Sequence, residues 1–217
     1  MQLKKINPNL SKALGEHGLI TPNELQLETF SAMKSGADCI ISAIPGFGKT
    51  TTLVINAIQK LGSPEGESTR ALLVVETKEK VIEMTEMFAK YAAYTGLRFL
   101  GVHQKGDIDY DKNQISLGLD ILIGTPDKIN LMFSSAGFNL NTVRFFAVDD
   151  AEVLFKKRQD SIVLRLSASA AKTQYIFACN EITERVEIMA DKIMPMSEAV
   201  EGYDIFDKMK VQKVVFE

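Results

Sequence analysis

Short apolar runs alternate along most of the chain with segments whose apolar positions recur at helical spacing. The runs at 38–43, 70–76, 97–102, 120–124, 143–148 and 173–179 are nearly uninterrupted, which predicts strands covered on both faces. Between them, 49–61, 78–94, 125–133, 160–170 and 181–194 carry the three-to-four-residue period of amphipathic helices. Strands spaced by helices predict an α/β fold: a mostly parallel, twisted sheet with helices on both faces, joined by right-handed crossovers. A charged stretch from Glu198 leads to a weaker strand candidate at 211–216, which would add an edge strand or continue into a linker.

Two helices are predicted ahead of the first strand. Asn7-Pro8 opens one, with proline at the first helical position. Thr21-Pro-Asn-Glu24 opens the other as a capping box with proline just inside. These divide the chain into N-terminal helices over 1–36, packed on the same structural domain, and a sheet-bearing body over 37–217. The segment 62–69 reads as a solvated loop, and no repeat or low-complexity tract interrupts the pattern.

Length narrows the picture to one large domain of 217 residues. A net charge of −3 and a pI near 5.6 leave any nucleic-acid site to a local basic patch. Cys39 and Cys179 lie inside apolar runs and read as buried, reduced thiols, which places the protein in the cytoplasm. The N-terminus lacks an apolar core of signal-peptide type, and no run is long enough to span a membrane. A monomer without membrane contact is expected. His17 and His103 have no partners at metal-ligand spacing, which argues against a zinc site.

The chemistry concentrates where the first strand meets its helix. Ala43-Ile-Pro-Gly-Phe-Gly-Lys-Thr50 is a P-loop pattern with alanine at the first glycine of the strict form. A tight loop at a helix N-terminus turns backbone N–H groups toward phosphates. Pro45, Gly46, Phe47, Gly48, Lys49, Thr50 and Thr51 are the expected nucleotide contacts, with Lys49 as the cation for the β- and γ-phosphates. Thr50 is the expected hydroxyl ligand of magnesium. The acid that completes such a site ends an apolar strand beside the P-loop strand, and Arg144-Phe-Phe-Ala-Val148 followed by Asp149-Asp-Ala-Glu152 supplies it. Asp149 is then the magnesium partner, and Asp150 the group that orients or deprotonates the attacking water. Adjacent acids that merely cap a helix starting at Ala151 are the competing explanation. Phe145-Phe146 reads as core packing, and Lys156-Lys157-Arg158 as a solvated turn.

Taken together, these elements resemble the first RecA-like domain of the DEAD-box RNA helicases, in order and spacing, over essentially the whole chain. Gly18-Leu-Ile-Thr-Pro-Asn-Glu-Leu-Gln26 is similar to the family's Q motif, which implies that Gln26 reads adenine. Glu76-Thr-Lys-Glu79 stands in the place of Pro-Thr-Arg-Glu, and Thr125-Pro-Asp-Lys128 in that of Thr-Pro-Gly-Arg. The resemblance implies single-stranded RNA contacts at Thr77, Lys78, Thr125 and Lys128. Asp149-Asp-Ala-Glu152 occupies the place of Asp-Glu-Ala-Asp, and Ala178-Cys-Asn180 that of Ser-Ala-Thr, which couples hydrolysis to domain movement. The fold implied is a three-layer RecA-like P-loop domain that binds ATP and magnesium.

The departures carry information of their own. Asp150 is one methylene shorter than the family's glutamate, and a displacement of about an ångström can cost on the order of a hundredfold in rate. Glu152 and Asn180 replace Asp and Thr, which is either a compensated swap through a Glu152–Asn180 hydrogen bond or decay. Asp127 and Glu76 put anions where RNA phosphates would lie. The aromatic that stacks on adenine falls near Met1 and is absent, as are paired glycines near 103–106. One RecA-like domain is present; in the family a second supplies arginine fingers and the rest of the RNA site, so a second RecA-like domain or a protein partner is expected. Two readings stand: a magnesium-dependent ATPase domain, slow in isolation and coupled to RNA, or a catalytically degenerate, nucleotide-gated protein-interaction module. An unrelated P-loop NTPase leaves Gly18–Gln26 and Thr125–Lys128 without explanation.

Overall fold

The computed structural model describes residues 3, 5–170, 172–194 and 211–216. Seven strands form one sheet: β1 (Asp38–Ala43), β2 (Ala71–Val74), β3 (Phe99–Val102), β4 (Ile121–Gly124), β5 (Phe145–Val148), β6 (Gln174–Cys179) and β7 (Val211–Phe216). Their order is β3-β4-β2-β5-β6-β1-β7, and every pairing is parallel. The helices are α1 (Pro8–Glu16), α2 (Glu24–Ser35), α3 (Lys49–Leu61), α4 (Lys78–Tyr91), α5 (Ile108–Ser116), α6 (Pro126–Ser134), α7 (Ala151–Lys156), α8 (Asp160–Ser167) and α9 (Glu184–Ile193).

The uninterrupted apolar strands follow from a sheet covered on both faces. Along each strand successive side chains serve opposite layers. Cys39, Ile41, Leu73, Phe145, Ala147 and Ile176 join the core beneath α1 to α4. Ile40, Leu72, Val74, Phe146, Val148 and Phe177 join the core beneath α5 to α9. Phe145 and Phe146 therefore pack into different layers, and both are fully buried. Burial also holds the thiols of Cys39 and Cys179 up at about 12, so both stay protonated.

Expectation and structure part in three places, and the alternative left open for 211–216 is decided. The helix α5 has no counterpart in the predicted pattern, because its interior (Asp-Tyr-Asp-Lys-Asn-Gln) is polar; only Asp111 and Ile115 are buried, and Asp107 caps its start. The second N-terminal helix begins later than Thr21. Its N-cap is Asn23, and the capping box pairs Asn23 with Gln26. Val211–Phe216 forms the edge strand beside β1, with the Phe216 ring stacked on Phe47 at 5.6 Å. The acid-bearing strand β5 does not neighbour the P-loop strand, because β6 lies between them. That insertion decides the wiring of the site.

At the opposite end of β4, Asp120 ties the loops together. It accepts from Arg70 Nη2 at 2.6 Å and from Arg98 Nε at 2.9 Å. Burial alone would raise this carboxyl, but hydrogen bonds from Arg98 and Arg70 hold it at about 2.

Candidate active site

The carboxyl ends of β1, β5 and β6 deliver three chain segments to one place, as expected for ligand sites in parallel sheets. From β1 the chain enters the P-loop, where Gly46 and Gly48 adopt φ of 82° and 90°. Only glycine takes such angles without strain, and they let the backbone curl before α3 begins at Lys49. Lys49 folds back across this curl. Its Nζ donates to Ala43 O at 2.6 Å, Ile44 O at 3.1 Å and Asn180 Oδ1 at 2.8 Å. Burial lowers the proton affinity of this ammonium, while Asp149 and Glu152 pull the other way. Three neutral acceptors thus hold a cation that an anionic phosphate can recapture.

Asp149 leaves the end of β5 and accepts from Thr50 Oγ1 at 2.6 Å. Burial pushes its carboxyl up, opposed by the Thr50 hydroxyl and by the ammoniums of Lys80 and Lys49. A hydroxyl and a nearly buried carboxylate side by side form an all-oxygen donor set, which suits magnesium with waters completing its shell. Asp150 follows in the left-handed region, with φ 49°. It occupies the N-cap position of α7, yet its side chain makes no capping hydrogen bond. It pairs instead with Lys80 of α4. Helix capping therefore does not explain the second acid of the pair.

Asn180, at the end of β6, joins the two sides. While Oδ1 receives Lys49, Nδ2 donates to Glu152 Oε1 at 2.7 Å, and the Asn180 N–H donates to the same oxygen at 3.1 Å. The Glu152–Asn180 hydrogen bond is present: the longer acid and the amide complement each other. Ser42, unnoticed in the sequence, donates to Asn180 O at 3.3 Å.

The Q-like segment closes the other side of the loop. Asn23 Nδ2 donates to Phe47 O at 2.9 Å, a contact the capping pattern alone did not announce. Gln26 Oε1 accepts from Asn23 N at 3.1 Å, and its amide nitrogen lies beside Gly48. Gln26, Pro22, Ile20 and Ile55 line a cavity of about 170 Å³. Pro45 and Gly46 are exposed at the loop's tip, and Thr51 is half-buried on α3.

A second cleft, of about 280 Å³, brings together Thr77, Lys78, Thr125, Asp127 and Lys157. Three buried polar atoms on its lining have no hydrogen-bond partner among the described residues: Thr125 Oγ1, His103 Nδ1 and Gln159 Oε1. Lys128, expected at an RNA contact, is not on the lining of this cleft. Its side chain is 2% exposed; Nζ pairs with Asp111 Oδ2 at 2.8 Å and donates to Gly106 O at 2.8 Å. A lysine so placed neutralises a buried acid and holds a loop. The two acids are also spoken for, since Glu76 pairs with Lys157 and Asp127 accepts from Gln104 Nε2 at 2.9 Å.

A seven-stranded parallel sheet with a P-loop after β1 and an acid pair after β5 defines a RecA-like P-loop domain. The family profile for DEAD/DEAH box helicase matches residues 23–181, and the chain belongs to that family. Among similar proteins, the ATP-dependent RNA helicase DeaD of Mycobacterium tuberculosis is 27% identical over 149 residues, covering 68% of this chain and 26% of the relative. The ATP-dependent RNA helicase SUB2 of Pyricularia oryzae is 27% identical over 165 residues, covering 74% and 36%. The crystal structure of a hypothetical ATP-dependent RNA helicase from Sulfolobus tokodaii superposes with a TM-score of 0.79 at 18% identity, over 97% of this chain and 57% of that one. The chain spans well under half the length of these curated relatives. Among the described residues, no helix is long and apolar enough to cross a membrane.

Proposed function

We propose that this chain is an ATP-binding, RNA-coupled hydrolytic domain whose turnover is slow on its own. The observation that carries the reading is the linkage Lys49–Asn180–Glu152, with Thr50 on Asp149. The first ties the P-loop cation to the coupling pair, the second ties the oxygen donors to each other, and the charges of Lys49 and Asp149 act on one another between them. In this reading the 46–50 backbone and Lys49 receive the phosphates, and Gln26 offers its amide to the adenine edge. Thr50 and Asp149 would hold magnesium, whose charge offsets that of the phosphates. Water adds its oxygen to the γ-phosphorus, the bond to the β-bridging oxygen breaks, and ADP leaves with the electron pair. Asp150 orients that water and accepts its proton. Turnover is slow because, among the described residues, no arginine bonds to or pairs with the Lys49, Asp149 and Asp150 side chains, and an arginine finger is worth roughly 10³–10⁵.

Single-stranded RNA is assigned to the cleft of Thr77, Lys78 and Thr125. Its unpartnered Thr125 and His103 atoms are suited to a polar ligand. Binding there is weak and steeply salt-dependent, because phosphate contacts dominate. A second RecA-like domain, from this protein or a partner, would supply the remaining contacts. The protein-interaction reading rests on the self-neutralised charges of that same cleft, and makes nucleotide binding without hydrolysis its signature.

The test is titration with a fluorescent ATP analogue and magnesium, followed by single-turnover hydrolysis. Lys49→Ala is expected to weaken binding at least about tenfold, since that ammonium offsets phosphate charge directly. Asp149→Ala is expected to abolish turnover. Equal binding by wild type and Lys49→Ala would overturn the site; tight binding with no hydrolysis, with or without RNA, would favour the interaction module.

A further inference from the structure

Lys80 stands in the first turn of α4, where its backbone N–H donates to the Thr77 cap at 3.3 Å. A cation there faces the positive end of the helix dipole, a position that favours acids. A residue that breaks a local rule needs a compensating partner, and the breach marks a functional or strained site. The partner is Asp150. The two side chains pair across the gap between α4 and α7, with Asp150's 13% exposed and Lys80's 37%.

Asp150 departs from local preference as well. Its left-handed backbone turns the carboxylate away from the α7 amides that it could have capped. Two strained choices on separate elements thus meet in one contact. Their meeting point lies at the carboxyl ends of β2 and β5, strands paired directly through Val74 and Val148. The charge on Lys80 is felt at the phosphate end too: it holds down the carboxyl of Asp149 and opposes protonation of Lys49.

We infer that Lys80 is a positioning residue for hydrolysis: its ammonium pairs with the Asp150 carboxylate and fixes where that short side chain points. The inference rests on the hydrolytic reading given above. It has a structural consequence. Thr77 and Lys78 line the RNA-facing cleft, and Lys80 shares their helical turn, so displacement of that turn by a bound strand is transmitted to the acid that orients water. Glu76–Lys157 forms a second tie between the same two chain segments.

The experiment compares wild type, Lys80→Met, Lys80→Arg, Asp150→Asn and the double variant Lys80→Met/Asp150→Asn. It measures single-turnover ATP hydrolysis with magnesium and, separately, affinity for a fluorescent ATP analogue. Lys80→Met is expected to slow hydrolysis at least about tenfold, the scale of a misplaced catalytic group, with nucleotide affinity unchanged. Lys80→Arg is expected to recover most of the rate. In the Asp150→Asn background, Lys80→Met is expected to add nothing, because groups acting as one unit are not additive. Unchanged or faster hydrolysis in Lys80→Met would overturn the inference. So would equal losses of rate and affinity, which would make Lys80 a direct phosphate ligand, and so would additive losses in the double variant. Absence of any wild-type turnover would instead overturn the hydrolytic reading, and this inference with it.

Discussion

The P-loop end and the cleft proposed for RNA are built from similar residues and use them differently. At the phosphate end, Lys49 rests on two backbone carbonyls and one amide oxygen, all neutral, so an incoming phosphate meets a cation without a committed counter-ion. On the cleft lining Lys157 is spent on Glu76, and Lys128, buried outside that lining, is spent on Asp111. Of the cations expected there, Lys78 is exposed and has no ion pair among the described residues. The difference teaches that motif residues must be weighed by their partners. A lysine paired with a buried carboxylate has already used the interaction energy that a ligand would need.

The largest effect that would break this comparison concerns Lys128. Lys128→Ala leaves Asp111 buried and unpaired, and is expected to cost about 3–5 kcal/mol of stability, read by urea denaturation. The paired replacement Lys128→Met/Asp111→Leu is expected to recover much of that loss, since apolar isosteres remove both charges together. Retained stability with lost RNA affinity in Lys128→Ala would return this residue to the binding face.

A smaller effect sharpens the nucleotide side. Gln26 spends one lone pair of its oxygen on Asn23 N and keeps its amide beside Gly48. Gln26→Ala is expected to reduce the preference for ATP over GTP by about 1 kcal/mol, roughly fivefold, the worth of one hydrogen bond. Competition titrations with both nucleotides measure it, and an unchanged ratio would leave Gln26 as a helix cap alone.

The smallest effect lies at Lys78. Its exposed ammonium contributes one phosphate contact, so Lys78→Ala is expected to make the salt dependence of RNA binding shallower by about 0.7 in the log–log slope. Affinity measured across a salt series decides it. An unchanged slope would mean that no RNA phosphate reaches this side chain.

Much of this architecture was legible in the chain itself. Apolar runs of strand length, glycines at the P-loop and the Asn7-Pro8 start reported their structure because local rules govern them: burial on both faces, positive φ, and capping. The start of α2 was misplaced by two residues because Thr21 and Asn23 are both competent caps; the reciprocal bonds of Asn23 with Gln26 and the contact from Asn23 to Phe47 favour the second. Helix α5 went unseen since its polar interior has no apolar period, and Asp111 is buried there only because Lys128 arrives from α6.

By itself the sequence determined the parallel α/β class and the loop that curls at Gly46 and Gly48. Each depends on residue type and short-range geometry. The tertiary structure alone decided the strand order, which inserts β6 between the P-loop strand and the acid-bearing strand and so lets Asn180 link Lys49 to Glu152. It also decided that Lys128 pairs with a buried acid while Lys49 rests on neutral acceptors, and that Lys80 meets Asp150. Those outcomes depend on contacts between residues far apart in sequence, where no local period or cap carries information.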